Sequence, residues 1–259
     1  GAPVVISGCT VRNYTNRFVY VSLSGKIESL TIDDCIFIGA DNSTTNKAIY
    51  ASSAHTQVET LSVTNSTFLN FNTGSNYFFR INCGEELVLM PVVLIDHCTF
   101  YNCYDRRGVY LYNAGRSTIK NCISAFSERR DDTKSFTAYG DESIVKNVIS
   151  YNVDLYGSAP KENIISKNPL FVDAENGNFQ LYKDSPAVGA GDDGSDLGDP
   201  RWGVSTENAP VGELPYECFK KPYSMSPTTH SVRILWQTLD SNPSGTVYYG
   251  KTPDLGQKV

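Results

Sequence analysis

Short runs of alternating apolar and polar residues recur along the chain in fixed columns. Six segments align on residues 5–11, 31–37, 62–68, 94–100, 118–124 and 144–150. One column is apolar throughout: Ile6, Ile32, Val63, Ile95, Ile119 and Val145. Three residues on, a column of small residues reads Cys9, Cys35, Ser66, Cys98, Cys122 and Val148, with steps of 24 to 32 residues. Between them Gly8, Asp34, Asn65, His97, Asn121 and Asn147 mark a turn whose polar side chains should hydrogen-bond along the stack. A second strand recurs at a constant spacing of 30, as Val19-Tyr20-Val21-Ser22, Ile49-Tyr50-Ala51-Ser52, Phe79-Arg80-Ile81-Asn82 and Val109-Tyr110-Leu111-Tyr112, with a looser copy at Phe136-Thr137-Ala138-Tyr139.

A period that wanders while its columns hold describes a solenoid with loops of variable length. The Leu-x-x-Leu-x-Leu of leucine-rich repeats is absent, and so is a 3.6-residue period. Strand-like alternation with Asn-rich turns predicts an all-β chain, a right-handed parallel β-helix in which each coil pairs with the next at about 4.8 Å. Its bore is expected over residues 4 to about 190, lined by the Ile6-to-Val145 and Val19-to-Val109 columns. The same alternation turns Tyr20, Tyr50, Arg80 and Tyr110 outward, as a solvent-facing ladder.

Composition narrows the function. The chain has 259 residues and a net charge of −6, with 22 Lys and Arg against 28 Asp and Glu. This argues against nucleic acid, which is bound through clustered cations. No apolar run of about 18 residues is present, so no membrane insertion is expected. Gly1-Ala2-Pro3 runs straight into a strand with no leader, and further domains are expected upstream and downstream. The cysteines number seven, an odd count without a CxxC pair. Reduced core thiols are expected rather than disulfides or zinc, and no cofactor.

Three stretches near the C-terminus carry a resemblance: Asn168-Pro169-Leu170-Phe171-Val172-Asp173, Gly177-Asn178-Phe179-Gln180-Leu181, and Asp184-Ser185-Pro186-Ala187-Val188-Gly189-Ala190-Gly191. They resemble the closing coils of bacterial parallel β-helix proteins of the pectate-lyase-like superfamily. Leu197-Gly198-Asp199-Pro200-Arg201-Trp202 resembles the end of a group of uncharacterised β-helix domains found in bacterial surface lipoproteins associated with glycan use. The resemblance implies a fold and a secreted or outer-surface setting, and carries over no catalytic residue. Beyond a Pro-containing linker, Pro222 to Thr238 and Gly245 to Gly256 are similar to the first strands of the fibronectin type III-like domain that precedes the catalytic domain of purple acid phosphatases. The organisation expected is a β-helix over 1–203, a linker over 204–221 and a partial sandwich over 222–259.

The outward ladder is the best candidate site. Sugar rings pack their C–H faces on aromatic rings, and Arg80 is suited to bind a carboxylate or sulfate bidentately. Ordinary cross-strand packing of tyrosines is the competing explanation. Arg129 and Arg130 offer a second contact for acidic glycans, with Lys134 as a conceivable base for β-elimination and Arg106, Arg107 and Arg116 in neighbouring loops. His97 has the chemistry of a general base, but its column reads as a turn position. Asp192 to Asp199 looks like a calcium loop without the alternating pattern or closing Glu of an EF-hand. Polysaccharide binding at the bacterial surface is the leading expectation. The alternatives are a lyase acting on uronate-containing glycan, and a rigid stalk for a phosphoesterase-like domain.

Overall fold

The structure is a computed structural model that describes residues 2–14, 16–21, 25–39, 46–51, 56–71, 77–82, 91–112 and 116–210. It also describes the strands Cys218–Met225, Arg233–Thr238, Tyr248–Tyr249 and Gln257–Lys258. For those four strands, and for residues 25, 26, 56, 57 and 82, it describes the backbone alone. Two compact units result, Gly1–Asn208 and Ala209–Val259.

The first unit is a parallel β-solenoid with three faces. Face one is built by Val4–Ser7, Gly25–Asp33, Thr56–Thr64, Val92–Asp96, and the first halves of Arg116–Ala125, Ile144–Tyr151 and Lys161–Ile165. Its register follows the apolar column: Ile6 pairs Ile32, then Val63, Ile95, Ile119 and Val145 in turn. Face three carries Arg17–Val21, Lys47–Ala51, Phe79–Asn82, Val109–Tyr112, Lys134–Ala138 and Asp154–Tyr156. There Val19, Ile49, Phe79, Val109 and Phe136 align, so the looser fifth copy belongs to the ladder.

Between face one and face two the chain bends at a single residue. Gly8, Asp34, Asn65, His97, Asn121, Asn147 and Asn163 all hold a positive φ, between 49° and 63°. Asn and Asp tolerate this left-handed conformation because their short polar side chains can hydrogen-bond locally, and Gly because it has no Cβ. The peptide N–H at each corner still serves the ladder, as Gly8 donates to Asp33 O at 3.2 Å and Asn65 to Asp96 O at 3.2 Å. Past the corner, face two (Thr10–Val11, Ile36–Ile38, Thr67–Leu69, Thr99–Tyr101 and the second halves of the three divided strands) points Phe37, Phe68 and Phe100 into the bore. Their rings stack with centroids 5.0 and 4.9 Å apart.

The bore is shorter than the sequence suggests. Its buried cluster runs from Val11 to Ala159, and residues 171–204 do not extend it as closing coils. They fold back over the outside of face two as a strap. Face two is apolar on both sides, as parallel sheets covered on both faces are. Leu69, Tyr101, Ile123, Ala125 and Ile149 point outward and are buried under Phe179, Leu181, Ala187 and Leu197. The strap is also fastened to the corner column. Arg201 donates to Asn65 O and pairs with Asp34, each at 3.0 Å. Gly198 N donates to Asn121 O at 2.8 Å, and Asn147 Nδ2 to Ala190 O at 2.9 Å. At Gly198 a Cβ would lie 2.7 Å from Thr99 Oγ1, so this approach requires glycine. The column side chains thus bond along the stack, as Asn65 does to Asp33 at 2.9 Å, and across to the strap as well.

Five cysteines fall among the described side chains, and all are free thiols. Cys35, Cys98, Cys103 and Cys122 are buried, whereas Cys9 is exposed. Cys83 and the side chain of Cys218 lie outside the described residues, as do Ser22 and Ser52 of the second-strand copies. Val204 bridges to Leu181, and Lys183 N donates to Glu207 O, so the strap runs past the expected boundary at 203. The second unit contains two antiparallel pairs, Cys218–Met225 with Arg233–Thr238 and Tyr248–Tyr249 with Gln257–Lys258. No helix among the described residues is long and apolar enough to cross a membrane.

Two outcomes follow from this packing. Ile95 is fully buried between Val63 and Ile119, so Ile95→Asp should abolish cooperative folding. An unpaired buried carboxylate costs several kcal/mol against a total stability of about 5 to 15, and a native melting curve by circular dichroism would refute the register. Asp192 ties the strap down: hydrogen bonds from Asn121, Lys146 and Lys120 hold its carboxyl well below the usual range. A folded pKa below the unfolded one gives stability that is present above about pH 4 and lost as pH falls further. Melts from pH 7 to pH 3 should show Asp192→Asn less stable at neutral pH but with a flatter acid limb than the parent.

Candidate functional site

The face-three register places Tyr20 beside Tyr50, Tyr50 beside Arg80, and Arg80 beside Tyr110. All four point away from the bore, opposite Val19, Ile49, Phe79 and Val109. Their exposure is not uniform. Tyr20 is 51% exposed, Tyr50 and Arg80 are half-buried, and Tyr110 is only 6% exposed. The expected solvent-facing ladder is therefore corrected at Tyr110. Tyr77, Tyr112 and Tyr139 pack around its ring at 5.7, 5.8 and 6.4 Å, and the Arg107 guanidinium lies 4.8 Å above it. Nor is the surface a flat platform, because the Tyr20 and Tyr50 rings are tilted by 56° at 5.8 Å.

What the strands build is a wall of tyrosines with cations set between them. Ring neighbours run Tyr20, Tyr50, Tyr77, Tyr110, Tyr112, Tyr139 and Tyr156, with centroids 5.4 to 6.5 Å apart. Arg17 lies over Tyr20 and Tyr50 at 4.5 and 4.6 Å, and Arg80 over Tyr77 at 4.6 Å. Such contacts contribute about 0.5 to 2 kcal/mol each, more when desolvated. Arg80 Nη1 donates to Tyr50 OH at 3.2 Å and to Tyr77 OH. Lys47 Nζ donates to Tyr77 O at 3.1 Å, and burial pushes that ammonium down. Burial likewise pushes the Tyr77 and Tyr139 phenols up, so both stay protonated donors at neutral pH.

Half of this wall escaped the sequence reading, although a signal was there. Arg17, Lys47, Tyr77 and Arg107 also stand 30 residues apart, three positions before the ladder. Arg17 pairs with Lys47 in register. Two columns read together, one rich in cations and one in rings, predict the interleaving; either alone does not.

The second candidate loop is internally neutralised. Arg129 binds Asp154 and Asp131 at 3.0 and 3.1 Å. Arg130 pairs with Glu128 at 2.6 Å and lies 3.9 Å over the Tyr104 ring. Lys134 reaches Asp154 at 3.3 Å. Burial acts upward on the Asp154 carboxyl, but Arg129 and Lys134 outweigh it and hold the group below its usual range. Arg116 faces Glu142 at 3.5 Å, and of the flanking arginines only Arg107 touches the wall. Arg130 thus stacks on Tyr104, which is not among the wall's ring neighbours, and Arg129 is held by the two carboxylates.

The acidic stretch serves the strap. Asp192 takes Lys146 and Lys120 at 2.9 and 3.2 Å, Asp193 accepts Ser195 N at 2.9 Å, and Asp196 accepts Gly189 N at 2.8 Å. Asp199 is fully buried, accepting from Thr67 Oγ1 and Arg201 Nε at 2.6 Å each; burial pushes its carboxyl up, partly offset by these partners. No cluster of three metal-ligating side chains occurs among the described residues. His97 stands on the corner beneath this stretch. Its Nδ1 meets Asp96 Oδ1 at 2.8 Å and its Nε2 meets Ser195 Oγ at 2.7 Å, at the edge of a cavity of about 380 Å³.

Compared with known proteins, residues 93–202 match the model of a family described as a domain of unknown function, DUF5123. The match covers the last coils and the strap, including His97 and Ser195, and leaves out Tyr20, Tyr50 and Arg80. No curated protein matches the chain.

Different exposure predicts different behaviour on truncation. Tyr110→Ala removes a buried ring and should destabilise the protein by about 3 kcal/mol, whereas Tyr20→Ala should leave the denaturation midpoint within about 0.5 kcal/mol of the parent. Urea titration of both variants checks this, and equal shifts would contradict the packing described.

Proposed function

We propose that this chain is a polysaccharide-binding β-solenoid, secreted or held at the outer surface of a bacterial cell, that takes a glycan along the tyrosine–arginine wall of face three. One observation carries it. Tyr20, Tyr50, Arg80 and Tyr110 stand in register across successive coils, and the wall's ends, Tyr20 and Tyr156, are 51% and 57% exposed. The open rings at the two ends leave apolar faces for a ligand to cover, and the stacked rings between them hold those ends in place. Tyrosine offers a sugar both a ring face and a hydroxyl. Arg17, Arg80 and Arg107 give the wall a local positive charge on a chain whose net charge is −6, which favours uronate- or sulfate-bearing glycans.

The setting rests on the resemblance of the strap segments to bacterial β-helix proteins. The right hand of the coil rests on the strong preference of parallel crossovers for that hand. The strands of the second unit are in keeping with the opening of a fibronectin type III-like sandwich, which suits a protein built from several modules.

Calorimetry against polygalacturonate and a neutral glycan of matched length tests this reading. Each lost ring contact is expected to cost about 1 kcal/mol, so Tyr20→Ala/Tyr50→Ala should weaken binding roughly thirtyfold. Arg80→Gln should weaken the acidic glycan more than the neutral one. Affinity unchanged in both variants would reduce the wall to sheet packing.

A further inference from the structure

We propose that Ser195, His97 and Asp96 form a nucleophilic relay that hydrolyses small carboxylic esters at the seam between the strap and the solenoid corner. The two side chains of the central contact are 98 residues apart in sequence and meet only because the strap folds back over face two. His97 Nδ1 lies 2.8 Å from Asp96 Oδ1, and the proton shared there belongs to the imidazole, since the carboxylate is an acceptor. That fixes the tautomer and leaves Nε2 with its lone pair facing Ser195 Oγ at 2.7 Å. Nucleophile, base and orienting carboxylate thus have the contacts that activate a serine hydroxyl.

The surroundings are those of a built site. Asp96 is itself held in place by Asn121 Nδ2 at 3.0 Å and Lys120 Nζ at 3.4 Å. Ser195 is pinned by its N–H, which donates to Asp193, and by its carbonyl, which accepts from Gly191 N at 2.8 Å; its hydroxyl also meets the Asp193 carboxylate, which competes with His97 Nε2 for the Oγ proton until a substrate is bound. A Cβ at Gly191 would lie 2.6 Å from Ser195 Oγ, so glycine there leaves room for the hydroxyl. Asp96 and His97 are each 16% exposed, shielded but reachable. The adjoining cavity, about 380 Å³, is lined by Ile123, Phe179, Leu197 and Trp202, which suits a short acyl chain. Asn65 lines it too, its amide held on Asp33 at 2.9 Å. The corner column adds a separate argument: the other six described coils place Gly, Asp or Asn at this left-handed position, and this one places an imidazole.

The steps balance. Ser195 Oγ attacks the ester carbonyl carbon while its proton passes to His97 Nε2. The C–O bond to the alcohol breaks, and the same proton leaves with the alcohol, giving an acyl-serine. Water then attacks that carbonyl, His97 takes and returns one proton, and the carboxylic acid departs from a regenerated Ser195. Asp96 acts as a positioning residue.

The whole chain, with p-nitrophenyl acetate as substrate and a fluorophosphonate as covalent probe, provides the test. The parent is expected to turn over the ester and to carry one phosphonyl group on Ser195, located by peptide mass spectrometry. His97→Asn restores the residue its neighbouring coils use, so it should melt like the parent while losing turnover and labelling at least a hundredfold; Ser195→Ala should lose both completely. Asp96→Asn should lower kcat by about a hundredfold or more with KM little changed. A folded parent that neither hydrolyses the ester nor takes the probe at Ser195 overturns the proposal and leaves the Ser195–His97 bond as a strap fastening. Turnover retained in Ser195→Ala or in folded His97→Asn overturns it equally. Should a variant fail to fold, labelling of the parent at Ser195 decides alone. None of these outcomes depends on glycan binding at face three, so the two readings stand or fall separately.

Discussion

A chain that must turn sharply after each pass along face one, with no residues to spare for a loop, has to place one residue per coil in the left-handed region. Seven residues from Gly8 to Asn163 do so. Glycine there leaves the corner without a side chain, while Asn and Asp supply one that finds partners within reach. The residue type that makes the bend affordable is therefore also the one that lines the corner with amide and carboxylate groups. Much of what fastens the strap to the solenoid uses that line. Arg201 reaches Asp34 and Asn65, Gly198 reaches Asn121, and Ala190 accepts from Asn147.

The strap follows from a second constraint. Coil stacking multiplies each side-chain choice by the number of coils, so an outward aliphatic on face two becomes a stripe. Ile36, Leu69, Ile123 and Ile149 make such a stripe, too long to leave in water. Phe179, Leu181, Ala187 and Leu197 cover it, and the strap's polar ends find the corner column. Burial of each large side chain contributes about 1.5 to 3 kcal/mol. Covering the stripe thus stabilises the solenoid along several coils at once, in a way no coil-to-coil hydrogen bond does.

Faces one and three were legible in the sequence because their periodicities are local: Ile6 to Val145 and Val19 to Val109 keep register through every coil. The direction of Tyr20 and Tyr110 followed from alternation alone, but the burial of Tyr110 did not. Its cover comes from Tyr77, at the start of the preceding coil's pass, and from Tyr112 and Tyr139 beside it. The strap was misplaced for a related reason. Phe171 to Leu181 was placed through its resemblance to closing coils, and a resemblance in sequence does not say which surface a strand packs on. The double-sided apolarity of Ile36-Phe37-Ile38 and Thr67-Phe68-Leu69 was the signal that face two needed an outer cover. Contact between His97 and Ser195 was beyond sequence reasoning, since it exists only once the strap has been placed.

The exteriors of face two and face three differ in a way that bears on where function can reside. Face two carries aliphatic side chains, which have no use for water and are covered. Face three carries tyrosine and arginine, whose flat faces stack on one another and whose polar ends are partly buried in the stack. A stack held by Arg17 over Tyr20 and Tyr50, and by Arg80 hydrogen-bonded to Tyr50 and Tyr77, is stiff without a covering layer. Stiffness of that kind matters for binding, because a surface already ordered spends less entropy on capturing an extended chain. It also limits the surface: rings whose faces are occupied by guanidinium groups offer mainly edges and hydroxyls, and the freest faces belong to Tyr20 and Tyr156 at the two ends. A glycan on this wall would therefore be gripped most firmly where the row begins and ends, with the arginines between acting on its charge.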